Sequence, residues 1–389
     1  MSRFLRRVMG LIWVPLVACG GSSGSGANLG SGSAASTQFQ VVTLASGLEN
    51  PWGLAFLPDG RMLVTERAGR LRVVNAQGVI SAPLSGLPGT IDVAGQGGLL
   101  GLALDPAFAT NRRIYLSFAE RGQGPESGLN STAVWRAELS TNATQLLNGQ
   151  VIFRQLPKVD SSGHFGGRLV FDRQGALFVT LGDRQSERDQ AQNKANHQGK
   201  VVRILTNGST PADNPWVADG AAASGLWSIG HRNVQGAATH PTTGELWTHE
   251  HGPQGGDEVN ITRKGRNYGW PVITHGCEYV TCSSIGDGTT RAGMEQPVTW
   301  WPKPSTAPSG MAFYTSDKFP AWTGNLFVGA LAGQTLWRLS LSGDQVVATE
   351  SLLEARGQRI RDVVQGPDGW LYLLTDSSDG QILRLQSKP

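Results

Sequence analysis

Residues 225–270 bring together many side chains that could do chemistry. The stretch reads GLWSIGHRNVQGAATHPTTGELWTHEHGPQGGDEVNITRKGRNYGW and holds four of the chain's seven histidines, together with Arg232, Glu250 and Asp257, between short apolar runs. Ionisable groups are costly to bury without partners, so this density is hard to explain as ordinary core. We therefore predict that loops of this stretch form part of a functional site.

Two further patterns suit particular chemical roles. His164 lies in a glycine-rich loop before a strand-like run, and Asp183 closes the next run at a similar level. An imidazole whose tautomer is fixed by a carboxylate is a common general base, although a loop histidine that only caps a turn is the alternative. Arg232 and Asn233 offer a fork of donors for carboxylates or for an oxygen that gains negative charge. The alternative for Arg232 is that it braces a neighbouring repeat.

Ligand-binding residues are suggested by two more segments. Arg359 and Arg361 lie two apart in a strand-like run, so both side chains face the same side, either into a channel as counter-charges or outward as a surface ladder. The turn at Gly252-Pro253 exposes carbonyl oxygens of the kind that calcium prefers. His249 and His251 also share one strand face, so a transition-metal pair is an alternative, but no third ligand follows at a usual spacing.

A repeated unit sets the predicted fold. From Phe39 onward an apolar strand, a turn at Pro, Asp or Gly, a second strand and a glycine-led third strand recur six times, as in WGLAFLPDGRMLVTERAGRLRVV. The spacing of roughly 40 to 65 residues is typical of propeller blades. We predict an all-β, six-bladed β-propeller of four-stranded antiparallel sheets over residues 38–389, with a pair of β-sandwiches as the alternative. Loops at one end of a propeller converge, so distant residues can share one site.

The strings GHRNVQG, EHGPQGGDEVN, GRNYGWP and RIRDVVQGPDG resemble, in this order, motifs of the soluble aldose sugar dehydrogenases. These are pyrroloquinoline quinone (PQQ) enzymes related to soluble glucose dehydrogenase. The resemblance implies oxidation of an aldose at C1 to a lactone, with PQQ and Ca²⁺ as cofactors and an external electron acceptor as partner. Residues 38–389 contain no G-x-G-x-x-G nicotinamide fingerprint and no G-x-S-x-G hydrolase elbow.

The resemblance also implies roles for individual residues. His164 takes the proton of the anomeric hydroxyl, Asp183 orients it, and Arg232 stabilises the quinone oxygen. Calcium is held by the carbonyls of Gly252 and Pro253, and a second calcium involves Glu258 and Tyr268. The remaining residues that it places beside the sugar or PQQ are Gln96, Asn233, His251, Asp257, Trp301, Arg359, Arg361 and Asp376.

One position departs from the family pattern. Related enzymes carry a lysine that contacts the quinone where this chain has Ala332. Loss of one charged hydrogen bond, worth about 1.5–3 kcal/mol, predicts weaker PQQ binding. Two other functions stay open at this point: a ligand-binding lipoprotein without redox chemistry, and a calcium-dependent sugar lactonase, which has no need of Arg359 and Arg361.

The amino-terminal residues predict export. Residues 1–18 have a basic start with Arg3, Arg6 and Arg7 and a short apolar run, the layout of a signal peptide. The sequence LVAC ending at Cys19 resembles a lipobox, with an ordinary cleaved signal as the alternative, and residues 19–37 form a Gly/Ser-rich tether. We expect a periplasmic protein anchored to the outer membrane through a lipid on Cys19.

The rest of the composition limits the function classes. Without the three leader arginines, 30 basic residues face 30 acidic ones, which gives no electrostatic case for nucleic acid. In an exported protein, Cys277 and Cys282 can form a disulfide across their short loop. Two cysteines are too few for a zinc site.

Overall fold

The computed structural model describes residues 38–388. The predicted signal peptide (1–18) and tether (19–37, with Cys19) lie outside the described residues. The described chain begins with strand β1, Phe39–Leu48, which pairs with the last strand of the chain. The first strand and the last three strands share one sheet, and the strands between them form five further sheets.

Six sheets are arranged as the blades of a propeller. Their strands are, for blade 1, β2 (Pro51–Phe56), β3 (Met62–Glu66) and β4 (Arg70–Val74); for blade 2, β5 (Leu99–Leu104), β6 (Arg113–Arg121), β7 (Asn130–Leu139) and β8 (Leu146–Arg154); for blade 3, β9 (Leu169–Phe171), β10 (Leu177–Thr180), β11 (Lys200–Ile204) and β12 (Leu226–Ile229); for blade 4, β13 (Val234–Thr239), β14 (Leu246–Glu250), β15 (Asp257–Ile261) and β16 (Thr299–Trp301); for blade 5, β17 (Pro308–Phe313), β18 (Leu326–Ala330), β19 (Leu336–Ser342) and β20 (Gln345–Leu352); and for blade 6, β21 (Ile360–Gln365), β22 (Leu371–Thr375), β23 (Gly380–Ser387) and β1.

Helical segments of the described chain are short. They comprise one α-helical turn, α1 (Phe108–Asn111), and the 3₁₀ turns Gly124–Glu126, Arg188–Gln192, Pro320–Trp322 and Glu354–Arg356. Among residues 38–388, none of the helices has the length and apolar character needed to cross a bilayer.

The predicted six-bladed β-propeller is confirmed, and its blades are antiparallel. Blade 1 differs in having three named strands, because the chain beyond Val74 returns only as a single bridge from Val74 to Ile80. Pro83 follows this bridge and has no amide proton to donate to a longer ladder.

The second strand of each blade has the pattern expected for a strand buried on both faces. The residues of β3, MLVTE, are all buried, and the hairpin before them turns at Gly60, whose φ of 85° favours glycine. Apolar side chains from successive blades pack together, as in the cluster that includes Leu63 of blade 1 and Leu116 of blade 2. The core is therefore a ring of inter-blade layers.

The first strands of the six blades surround the axis. Strands β2, β5, β9, β13, β17 and β21 contact one another in cyclic order. Their approach is close: a Cβ on Gly101 of β5 would lie 2.1 Å from the Gly167 carbonyl oxygen of the next blade. Because all six strands start at the same end of the axis, the residues just before and at their starts meet there.

Candidate active site

A cavity of about 190 Å³ opens at this end of the axis. Every blade contributes to the wall, as the repeat pattern predicts. The lining residues are Trp52, Arg67, Gln96, Leu100, Phe165, Gly166, Asn233, Gln235, His251, Ala307, Leu331, Arg359 and Arg361.

His164 and Asp183 form a buried hydrogen-bonded pair beside the cavity. The His164 Nδ1–H donates to Asp183 Oδ1 over 2.6 Å, and the two residues are 7% and 1% exposed. The loop after His164 supplies Phe165 and Gly166 to the cavity wall. Gln96 holds the same loop, because its Oε1 accepts the His164 backbone N–H over 2.9 Å. The predicted pairing of His164 with Asp183 is present, and it leaves Nε2 with the lone pair.

The surroundings keep this imidazole neutral. Burial lowers the pKa of His164, Asp183 opposes that effect, and the charges of Arg232 and Arg184 lower the pKa further. Burial alone would raise the pKa of Asp183, but the bond from His164 and the nearby positive charges lower it overall. The pair is thus a neutral imidazole beside a carboxylate, the protonation state required of a general base.

Arg232 is held from both its backbone and its side chain. Its N–H donates to Glu250 Oε2, and its carbonyl accepts the Asp183 N–H over 2.7 Å, which places Arg232 next to the histidine pair. Its Nη1 donates to the His251 carbonyl over 3.1 Å, and its Nη2 donates to the Tyr279 hydroxyl over 3.1 Å. The guanidinium is therefore fixed in direction at the edge of the site.

Asn233 joins blades 3 and 4 below the His164 loop. Its Oδ1 accepts the Gly166 N–H over 3.1 Å and Gln235 Nε2 over 3.2 Å. His251 lies on the same wall, and its Nε2–H donates to the Pro308 carbonyl over 2.8 Å. Burial lowers the pKa of His251 to about 3, so this histidine is neutral as well.

The opposite wall is cationic. Arg359 and Arg361 both line the cavity and both donate to Asp376 Oδ2, over 2.9 Å and 3.0 Å, so the prediction that both face a channel is confirmed. Burial lowers the pKa of Arg361 to about 10, which leaves it protonated at neutral pH. Arg67 adds a third guanidinium. Three cations beside one carboxylate suit an anionic ligand with several carboxylates.

Four of the residues predicted to contact the cofactor do not line the cavity: Arg232, described above, Asp257, Trp301 and Asp376. Asp376 lies behind the two arginines and is absent from the cavity wall. Asp257 is wholly buried, and its oxygens accept from Gly252 N, Ser305 Oγ, Thr306 N and Ala307 N, so it braces the surrounding loops. Trp301 packs against Trp337 in the core between blades 4 and 5, because its side chain points to the buried face of β16.

Three of the four predicted calcium ligands, Gly252, Glu258 and Tyr268, line a second, smaller cavity of about 10 Å³. Glu250 lines it as well, and His251 lines both this cavity and the main one. Burial, followed by the charge of Glu250, raises the pKa of Glu258 to about 8. The Tyr268 hydroxyl is engaged elsewhere, since it donates to the Ile261 carbonyl and accepts the Arg263 N–H.

Side chains alone do not make a metal site in the part of the chain that the structure describes. Among residues 38–388, no three or more His, Cys, Asp and Glu side chains lie together in a way that could hold a metal ion. This applies also to the alternative pair of His249 and His251, since His251 Nε2 is bonded to a carbonyl. A calcium ion bound beside Glu250 and Glu258 would also need backbone carbonyls such as those of Gly252 and Pro253.

Residues 48–384 match the family model described as Glucose / Sorbosone dehydrogenase. The chain belongs to this family. It is 47% identical over 357 residues to aldose sugar dehydrogenase YliI of Escherichia coli, covering 91% of this chain and 95% of that protein. It is 27% identical over 437 residues to quinoprotein glucose dehydrogenase B of Acinetobacter calcoaceticus, covering 92% and 90%.

Solved structures of the glucose / sorbosone dehydrogenase family agree. The apo-form of the soluble aldose sugar dehydrogenase from Escherichia coli superposes with a TM-score of 0.86 at 47% identity, covering 90% of this chain and all of that one. The PQQ-bound form of the enzyme from Streptomyces coelicolor gives a TM-score of 0.73 at 30% identity, covering 90% and 98%. The family predicted from the motifs is confirmed.

Several site residues of this family member were missed by the sequence analysis. Trp52, Arg67, Phe165 and Leu331 line the cavity, but single residues of these types in strands and turns carry no recognisable spacing. Trp270 had a signal, because it lies in the GRNYGWP motif; its indole Nε1–H donates to Asp183 Oδ2 over 2.8 Å. Tyr279, which contacts Arg232, lies in an exposed loop without a motif.

Proposed function

We propose that this chain is a PQQ- and calcium-dependent aldose sugar dehydrogenase, which oxidises the anomeric carbon of an aldose to a lactone and passes the electrons to an external acceptor. The observation that carries the proposal is the meeting of a neutral His164–Asp183 pair, a fixed Arg232 and a wall of three arginines at one end of the axis. Motifs and family membership point the same way.

The donor set of the cavity fits PQQ. This group carries three carboxylates, and Arg67, Arg359 and Arg361 supply matching positive charge, with Asn233 and His251 on the adjoining wall. When bound, PQQ supplies a quinone that can accept a hydride from the sugar C1. The lactonase alternative offers no role for this arginine wall.

The chain's own residues handle the proton and the developing charge. His164 Nε2 takes the proton of the anomeric hydroxyl, and Asp183 stabilises the resulting imidazolium through Nδ1–H. Arg232 places its guanidinium where an oxygen gains negative charge, and its bonds to the His251 carbonyl and Tyr279 keep it from reorienting. The carbonyls of Gly252 and Pro253 would hold calcium next to this edge.

Reconstitution tests the proposal. The purified protein is loaded with PQQ and Ca²⁺, and reduction of an artificial dye is followed with a panel of aldoses. We expect reduction that needs both additions, and a loss of about 100-fold or more in His164→Gln, the order expected for a missing general base. Background rates with every aldose, or full activity in the variant, contradict the proposal.

Absorbance separates the other functions in the same samples. A protein that only binds PQQ leaves the quinone spectrum unchanged when aldose is added. A lactonase hydrolyses lactones when calcium is present without PQQ. Either result would replace the dehydrogenase assignment.

Export to the periplasm and lipid anchoring at Cys19 are part of the same proposal. The supporting observations are the leader sequence and the disulfide between Cys277 and Cys282, which is typical of an oxidising compartment. Labelling with a radioactive fatty acid should mark the full chain and leave Cys19→Ser unlabelled. Equal labelling of the two proteins contradicts the anchor.

A further inference from the structure

The Asp183 carboxylate is held by donors on both oxygens. Oδ1 accepts His164 Nδ1–H over 2.6 Å and the Gln185 N–H over 2.8 Å. Oδ2 accepts the indole N–H of Trp270 over 2.8 Å. Two donors on one oxygen and one on the other fix the rotation of the carboxylate, and therefore the direction of the acceptor that faces His164.

Trp270 is itself rigidly placed. Its backbone N–H donates to the Gly230 carbonyl over 2.9 Å, and its backbone carbonyl accepts Gln192 Nε2 over 2.7 Å. The residue is 6% exposed, and its ring packs with Ala191 and Ile285. An indole anchored in this way cannot turn its N–H away from Asp183 without breaking packing on both sides.

The same ring also supports the second charged group of the site. The Arg232 guanidinium carbon lies 5.4 Å from the centre of the Trp270 ring, a distance at which a cation is attracted to the aromatic face. Trp270 thus touches both Asp183 and Arg232, the residues that orient the base and stabilise the developing charge.

We propose that Trp270 is a positioning residue: its indole N–H fixes Asp183 so that His164 is held as the Nδ1–H tautomer with Nε2 free to accept a proton, while its ring supports Arg232. The catalytic consequence rests on the proposed function, whereas the effect on the tautomer does not. A neutral imidazole that lacks an aligned carboxylate at Nδ1 prefers the proton on Nε2, and a proton there would block the base.

Other groups facing His164 do not replace this role. Arg232 and Arg184 act on it as positive charges that disfavour the imidazolium, and His251 is neutral. Arg184 donates to the carbonyls of Ser161 and Gly163, so it holds the loop rather than the carboxylate. The only side-chain donors to Asp183 in the described structure are His164 and Trp270.

The test uses Trp270→Phe, which keeps a buried ring and removes the N–H. The matched control is Trp322→Phe: Trp322 is 1% exposed and packs among Phe39, Phe319 and Phe327. Protein with ¹⁵N-labelled histidine is prepared without PQQ, and His164→Gln assigns the ring signals. We expect the Nδ1–H tautomer in wild type and the control, and a substantial Nε2–H population in Trp270→Phe.

Activity after loading with PQQ and Ca²⁺ gives the second readout. We expect kcat of Trp270→Phe to fall by about 10-fold or more, with a smaller change in KM, because one hydrogen bond to a charged acceptor is lost. Replacement of Trp270 by benzothienylalanine, which keeps the indole shape but lacks the N–H, should give the same result and replaces the Phe variant if that variant does not fold.

The outcomes separate the two proposals. An unchanged tautomer together with kcat within twofold of wild type overturns the role of Trp270. In another outcome, the tautomer changes in Trp270→Phe but the wild-type protein shows no dye reduction. That result supports the positioning of His164 by Trp270 and removes the dehydrogenase assignment. A loss of kcat with an unchanged tautomer also overturns the proposal, since it would indicate a merely structural role.

Discussion

His164 combines burial with a single carboxylate partner, and this fixes the pH at which it can act. Its pKa lies below the ordinary value of about 6.5, because burial and the charges of Arg232 and Arg184 outweigh Asp183. A base works when it is deprotonated, so activity should be lost only as the pH falls through this lowered pKa. Neutral solutions should support nearly full activity.

A pH profile of kcat/KM checks this expectation. We expect an acid limb below pH 6.5 in wild type, and a limb at still lower pH in Asp183→Asn, which removes the one negative partner of the imidazole. The variant should also lose about 100-fold or more in kcat. Asp59→Asn, on the exposed surface, is the control. A wild-type limb at or above pH 6.5 would show that burial does not dominate.

Ala332 allows a gain-of-function test at the arginine wall. It follows Leu331, which lines the cavity, and is itself exposed. Ala332→Lys should restore the cation that the family pattern has there and tighten PQQ binding by about 10-fold or more, the equivalent of one charged hydrogen bond. Ala332→Met supplies a long side chain without charge. Equal PQQ affinity for the Lys and Met variants, measured by titration, would contradict an electrostatic role.

At the scale of elements, the loop closed by the disulfide between Cys277 and Cys282 carries Tyr279, a residue of the site that the sequence did not indicate. The loop is tied to the Gly252-Pro253 turn, because Gln254 N donates to the Cys277 carbonyl over 3.0 Å, and to the Arg188–Gln192 turn, because Arg188 pairs with Glu278 over 2.6 Å. Both anchors hold Tyr279 against the side chain of Arg232.

Loss of either the hydroxyl or the disulfide should weaken turnover. Tyr279→Phe removes one hydrogen bond to Arg232, so we expect kcat/KM to fall by about 2- to 10-fold. The double variant Cys277→Ser/Cys282→Ser should show a similar or larger fall, because the loop gains freedom to leave Arg232. Val280→Ala changes a side chain of the same loop that is 97% exposed and should have no effect. Unchanged kinetics in both the Tyr279 variant and the double cysteine variant would place the loop outside the reaction.

Elements also explain which predictions from sequence succeeded. Blades could be predicted because each is a local run of hairpins with apolar alternation and turn residues. Side-chain direction could not be predicted where a shift of one residue along a strand moves a side chain to the other face of the sheet. Trp301 points into the core, whereas Trp300 beside it is 42% exposed. Trp270 could not be paired with Asp183, because 87 positions separate them and only the closed ring brings them together.

For the whole molecule, closure of the ring is the condition for a shared site. Blade 6 combines β1 from one end of the described chain with β21, β22 and β23 from the other. Its faces pack on blade 5 through Leu371 and Leu373, and on blade 1 through Leu374 and Ile382. Arg359 and Arg361 enter the site from this blade, so the cationic wall depends on the joint between the two ends.

Removal of β1 tests this dependence. A chain that begins at Glu49 should melt at a clearly lower temperature than one that begins at Gln38, because β23 loses one of its two antiparallel partners and Leu48, fully buried in the layer between blades 6 and 1, is gone. Leu48→Ala isolates the packing contribution and should lower the free energy of unfolding by about 2–5 kcal/mol.

PQQ affinity shows whether the joint also shapes the site. Val347→Ala, on the exposed edge strand β20 and 61% exposed, is the control and should match wild type in melting and in binding. In the chain that begins at Glu49, PQQ binding should weaken together with stability, since Arg359 and Arg361 lie on the blade that has lost a strand. If that chain melts and binds PQQ as the Gln38 chain does, blade 6 holds its arginines without β1, and closure of the ring is not what assembles the cationic wall.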